Sequence, residues 1–143
     1  MDEDKGGLYR AVILEHAKNP RNSGRVENPT LQARASNPLC GDELELTASL
    51  EGGILADIRF QVRGCAIVTA AASLVSQVVQ GQDLEVARVL GRTFAGVMEG
   101  EASDLPADLA ALEPLVEVKK HRSRIKCALL PWYALADAEG AGG

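Results

Sequence analysis

The chain has 143 residues, 46% of them hydrophobic and 24% charged, which fits one globular domain around a single core. A net charge of −5, with only 3% aromatic residues, excludes nucleic acid as the main partner, since that role needs a basic or stacking surface. Three well-separated cysteines make no disulfide framework, the polar start Met1-Asp2-Glu3-Asp4-Lys5 is no signal peptide, and no stretch approaches the ~20 apolar residues of a membrane span. A reducing cytoplasm, away from any membrane, is the expected setting.

Leu8 to Lys18 reads as an amphipathic helix stopped by Asn19-Pro20, with His16 packed or at the surface. Arg21 to Thr30, rich in Asn, Pro and Gly, reads as a loop. Leu31 to Ser36 is a short strand. Glu43 to Leu50 and Ile54 to Val62 alternate polar and apolar residues as two half-buried strands, joined by a hairpin turn at Glu51-Gly52-Gly53. Ala66 to Gln80 is a buried apolar helix closed by Gly81, and Asp83 caps a further helix over Leu84 to Met98. Glu101 to Asp104 is a loop. Asp104-Leu105-Pro106 reads as the N-cap and early proline of a short helix to Leu112. The last helix is expected to begin between Arg124 and Pro131, because proline fits only a first turn, and to end near Gly140. Trp132 and Tyr133 would anchor it to the core. The Gly-Ala-Gly-Gly tail, residues 140–143, reads as disordered. No repeat or boundary divides residues 1–143.

The chemistry lies in the cysteines. Cys40 sits in Asn37-Pro38-Leu39-Cys40-Gly41-Asp42, a turn entering the sheet. Cys65 follows Gly64 at a helix start, where free N–H groups and the dipole favour a thiolate. Cys127 follows the basic run Lys119 to Lys126 and is expected at a helix entrance. All three are expected at exposed ends of elements. Three sulfurs and the Asp42 carboxylate form a four-ligand set suited to tetrahedral zinc or an iron–sulfur cluster. A hard oxygen among soft thiolates leaves an exchangeable position, the mark of a working rather than a closed site. The bland alternatives are buried hydrophobic cysteines, a turn aspartate and a solvated basic face. The basic run also suits two functional readings: offsetting the negative charge of the ligands, or docking an oppositely charged partner.

Several uncommon segments in order resemble the NifU/IscU family of iron–sulfur assembly proteins. They are His16-Ala17-Lys18-Asn19-Pro20-Arg21-Asn22-Ser23-Gly24, the Asn37 to Asp42 loop, and Gly64-Cys65-Ala66-Ile67. Lys126-Cys127 in place of His-Cys, and a segment from about Arg92 to Lys119 before that cysteine, are similar to the SufU branch. Val68-Thr69-Ala70 departs from the serine common there, with the ligands intact. The resemblance implies an α+β fold, with a small antiparallel sheet of about three strands packed against several helices, zinc held by Cys40, Asp42, Cys65 and Cys127, and a PLP-dependent cysteine desulfurase of the SufS type as partner. It also implies that Cys40 accepts persulfide sulfur for downstream iron–sulfur assembly proteins. The rival reading is an IscU-type scaffold building a [2Fe–2S] cluster on the same ligands, against which Lys126 weighs. A purely structural zinc domain is the least favoured reading.

Overall fold

Strand alternation decides which side chains meet the helices. The computed structural model describes residues 2–102 and 104–140. Its antiparallel sheet has the order β3-β2-β1-β4, with β1 at Leu31–Asn37, β2 at Asp42–Glu51, β3 at Ile54–Arg63 and β4 at Glu139–Gly140. The three expected strands are all present. The short β4 is an addition, pairing Glu139 and Gly140 with Gln32 and Leu31. Gly140, expected in a disordered tail, is thus held by the sheet, while residues 141–143 lie outside the described residues.

On β2, Asp42, Leu44, Leu46 and Ala48 are buried on one face. Their β1 partners are Asn37, Ala35, Ala33 and Leu31, and on β3 Val62, Phe60 and Ile58 lie opposite Leu44, Leu46 and Ala48. This face packs on α2 (Ala66–Val79) and α5 (Arg122–Asp137), whose buried residues include Val68, Leu74, Val75, Leu129 and Leu135. The same parity turns Asn37 and Asp42, at the end of the ladder, inward with the core.

The segment after α1 (Asp2–Lys18) crosses the opposite face of the sheet. Phe60 N–H donates to the Asn22 carbonyl at 3.0 Å and Gly24 N–H to the Phe60 carbonyl at 2.9 Å. Val26 N–H then reaches Thr47 Oγ1 at 2.9 Å and Thr30 N–H the Ala48 carbonyl at 2.9 Å. The start of this strap is fastened to α2 through Ser73, whose oxygen accepts the Arg21 main-chain N–H at 2.8 Å and lies 2.7 Å from His16 Nδ1. With the hydroxyl donating to a neutral imidazole, the Ser73 oxygen serves both bonds at once. Burial first, and the nearby Arg21 cation second, hold the His16 pKa below its usual 6.5, while Glu15 opposes them. The unfolded chain therefore binds more protons just below 6.5. The His16 contribution to stability is present above that pH and is lost as the pH falls through the folded value. Denaturant unfolding across that range should show a steeper acid loss for the wild type than for His16→Asn; equal slopes would remove His16 as the cause.

α1 begins at Asp2 rather than Leu8, continuing through Gly6-Gly7. Asp83 caps α3 (Leu84–Met98) as expected, accepting from Glu85 and Val86 N–H at 2.8 and 3.1 Å. The turn expected to start at Asp104 starts later. Pro106 holds the cap position of a 3-10 turn, Ala107–Leu112, because proline disfavours helical conformation in the residue before it. A short α4 (Glu113–Val116) and a second 3-10 turn (Glu117–Lys120) lead into α5.

The largest departure from the sequence reading is in α5. It starts at Arg122 and carries Pro131 in its interior, so Cys127 lies in the second turn, not at the entrance. A proline at 131 has no N–H for the Cys127 carbonyl, a defect of about 3 kcal/mol in an isolated helix. Packing offsets it: Pro131 is buried, and Trp132 lies beside Phe94 with ring centroids 6.4 Å apart. Gly91 makes room for the indole, since a Cβ there would sit 2.8 Å from Trp132 Cε3. Tyr133, expected as a second anchor, is 38% exposed because the next position on the helix turns outward.

Candidate metal centre

Three elements converge at the end of the sheet. The turn between β1 and β2 presents Cys40, with Cys40 N–H donating to the Asn37 carbonyl at 3.1 Å and Gly41 closing the turn at φ +70°. β2 begins with Asp42, and α5 delivers Cys127. Cys40, Asp42 and Cys127 each bring one donor atom within 4.8 Å of the others. Their burial differs sharply. Cys40 is exposed, whereas Asp42 and Cys127 are buried. The expectation of three exposed cysteines is therefore corrected: Cys127 is carried inward by the apolar face of α5, and Cys65 is half-buried.

Cys65 joins the centre through its backbone. It is the N-cap residue of α2, and its N–H donates to Asp42 Oδ1 at 3.0 Å. The carboxylate thus meets a free N–H at a helix start, the favourable end of the dipole. Its second oxygen, Oδ2, accepts the Cys127 thiol at 3.3 Å. The Cys65 sulfur is not one of the three close donor atoms, and it acts on Cys127 through its charge. Burial pushes the Cys127 thiol up to about 12, with the Asp42 hydrogen bond and the charge of Cys65 adding to it. Such a sulfur becomes a thiolate only beside a cation. Three thiols and a carboxylate are a soft, anionic donor set that fits zinc, and a bound zinc would supply that charge.

Two residues at the centre were not singled out by the sequence. Asn37 is buried, and its Nδ2 points at Cys127 Sγ at 3.8 Å; its place opposite Asp42 in the β1–β2 register is the signal that marks it. Arg124, one of five cations in the basic run, faces the sulfurs. Its guanidinium is held above its usual value by Cys65 first, then by a hydrogen bond to Cys127 and the charges of Cys127 and Cys40. Helical spacing explains this, since Arg124 and Cys127 are three apart and share a face. Gly64 belongs here too, because Asp42 occupies the space a side chain would need.

Comparison with known proteins agrees with the sequence resemblance. The NifU-like N terminal domain family matches residues 8–128. A Bacillus subtilis protein named zinc-dependent sulfurtransferase SufU is 44% identical over 90% of this chain and 86% of its own length. A Streptococcus pyogenes protein named iron–sulfur cluster assembly scaffold protein IscU is 34% identical over 92% of this chain and 82% of its own. A crystal structure from Fervidobacterium islandicum, described as a scaffold protein for the SUF system, superposes with a TM-score of 0.79 at 26% identity. It covers 87% of this chain and 90% of that one. Sequence, fold and the converging cysteines together make this chain a member of the NifU/IscU-like family of iron–sulfur cluster assembly proteins, on its SufU branch.

Proposed function

We propose that the chain is a zinc-dependent sulfur acceptor in iron–sulfur cluster assembly, taking persulfide sulfur from a SufS-type cysteine desulfurase through Cys40. The observation that carries this reading is the pairing of one exposed sulfur, Cys40, with two buried donors, Asp42 and Cys127, within 4.8 Å. A closed structural site would bury all its ligands. A site that exchanges sulfur needs one that a partner can reach.

Cys40, Asp42, Cys65 and Cys127 are the residues that would hold zinc. Zinc supplies the positive charge that keeps the thiols deprotonated at neutral pH. Asp42 fixes the centre by holding the Cys65 N–H and the Cys127 sulfur at once. Arg124 adds a permanent cation on the solvent side. Cys40, as thiolate, attacks the terminal sulfur of the desulfurase persulfide. The bond between the two desulfurase sulfurs breaks, the desulfurase cysteine leaves as a thiolate, and Cys40 becomes the persulfide. Free thiols in this role need the reducing cytoplasm. Downstream assembly proteins then take the sulfur.

The relative named IscU supports the rival reading of a [2Fe–2S] scaffold on the same ligands. Zinc, iron and acid-labile sulfide per chain separate the two in protein purified without oxygen, beside a Cys65→Ser variant. About one zinc per chain without sulfide, lost in the variant, is expected. Matched iron and sulfide, lost in the same variant, would transfer the assignment to the scaffold.

A further inference from the structure

The charge of this chain is unevenly spread. Lys119, Lys120, Arg122, Arg124 and Lys126 are five of its fifteen lysines and arginines, packed into eight residues with no carboxylate among them. The remaining ten face twenty aspartates and glutamates. Within the run, Lys120 is paired, to Glu117 at 2.9 Å, and Arg124 turns to the sulfurs. Arg122 and Lys126 are exposed on the turns of α5 that bring Cys127 to the centre.

Arg122, the first residue of α5, stands where helix physics disfavours a cation. α5 has no side-chain hydrogen bond at its N-cap, His121, and no acidic residue in its first turn. The dipole there opposes positive charge. Arg122 therefore adds nothing to the stability of the helix start. Cys40 and Cys127 bring donor atoms within 4.8 Å of each other, and the residue before Cys40, Leu39, is held out by its turn at 87% exposure, the most exposed of the large hydrophobic side chains described. A lone apolar side chain at the tip of a turn, next to the sulfur that must meet a donor, has the form of an anchor.

We infer that Leu39 together with the cations Arg122 and Lys126 forms a docking rim around Cys40. It fits a protein face that carries carboxylates about an apolar hollow and presents a persulfide at its centre. The inference rests on the sulfur-acceptor reading and adds how the donor is recognised. An acidic chain would repel an acidic partner in general, and the concentrated basic rim makes one orientation attractive, the one that brings Cys40 to the persulfide.

The test measures binding of the zinc-loaded chain to a purified SufS-type cysteine desulfurase across a salt series, with sulfur acceptance by intact mass in parallel. Arg122→Glu places at the helix start the charge it prefers, and Lys126→Glu changes an exposed side chain, so the melting temperature of the double variant should stay close to that of the wild type. Its docking at low salt should weaken at least about tenfold, and the wild type should lose the same advantage as salt rises. Leu39→Ser should weaken docking about tenfold with little dependence on salt. Unchanged docking in both variants, with sulfur still accepted by the wild type, would overturn the rim and leave the acceptor reading standing. A wild-type chain that takes no sulfur from the desulfurase at any salt would overturn both.

Discussion

Cys40→Ser is expected to lose sulfur acceptance while keeping its fold. With desulfurase, L-cysteine and PLP, the wild type should gain the mass of one sulfur atom, and the variant should fall at least about 100-fold, to background, because a serine hydroxyl neither ionises near neutral pH nor carries a persulfide. Cys40 is exposed at the tip of a turn, so its replacement removes little packing, and the stability of the metal-free chain should stay within about 0.5 kcal/mol. Cys127→Ser is the contrast. That sulfur is fully buried and donates to Asp42, so its loss should lower both stability and metal content along with activity. The pair of variants therefore separates the reacting sulfur from the holding one. Full acceptance by Cys40→Ser, or equal destabilisation by both, would assign the chemistry elsewhere.

What the sequence disclosed, and what it hid, follows from the range of the forces involved. The strands were legible because alternation in Glu43 to Leu50 and Ile54 to Val62 directly encodes which face is buried. Asp83 as a cap was legible because a cap is satisfied within three residues. The ligand set was visible as residue types in recognisable motifs. Their unequal burial was not, because it depends on α5 crossing β1 and β2, a contact between segments about 90 residues apart. Pro131 pointed the wrong way for the same reason. Local rules place proline in a first turn, and only the burial of Trp132 against Phe94 and Gly91 shows what outweighs the missing hydrogen bond. Arg124 was one of five similar cations until the helix phase was known.

Gly64→Ala should damage the centre, and Gly96→Ala is its mirror image. Gly64 is not required for backbone freedom, since its φ lies outside the left-handed range; it is required for space. A Cβ at position 64 would lie 2.5 Å from Asp42 Oδ1 and 3.1 Å from Asp42 Cβ and Cγ, well inside contact. Oδ1 is the oxygen that accepts the Cys65 N–H, and the same carboxylate receives the Cys127 thiol through Oδ2. Moving Asp42 therefore undoes the bond to the start of α2 and the bond to α5 together. Overpacking of this kind costs about 1–3 kcal/mol, and an unsatisfied buried partner adds to it. At position 96, within α3, a Cβ meets only Glu101 Oε2 at an ordinary 3.7 Å. There, exchanging glycine for alanine removes backbone entropy from the unfolded chain and should stabilise the fold by about 0.5–1 kcal/mol. Thermal unfolding with zinc analysis of both variants reads the difference. Gly64→Ala should melt lower and retain little zinc, while Gly96→Ala melts higher with its zinc intact. Full zinc retention by Gly64→Ala would mean that Asp42 can shift freely, and that its contact with Gly64 does not hold the centre together.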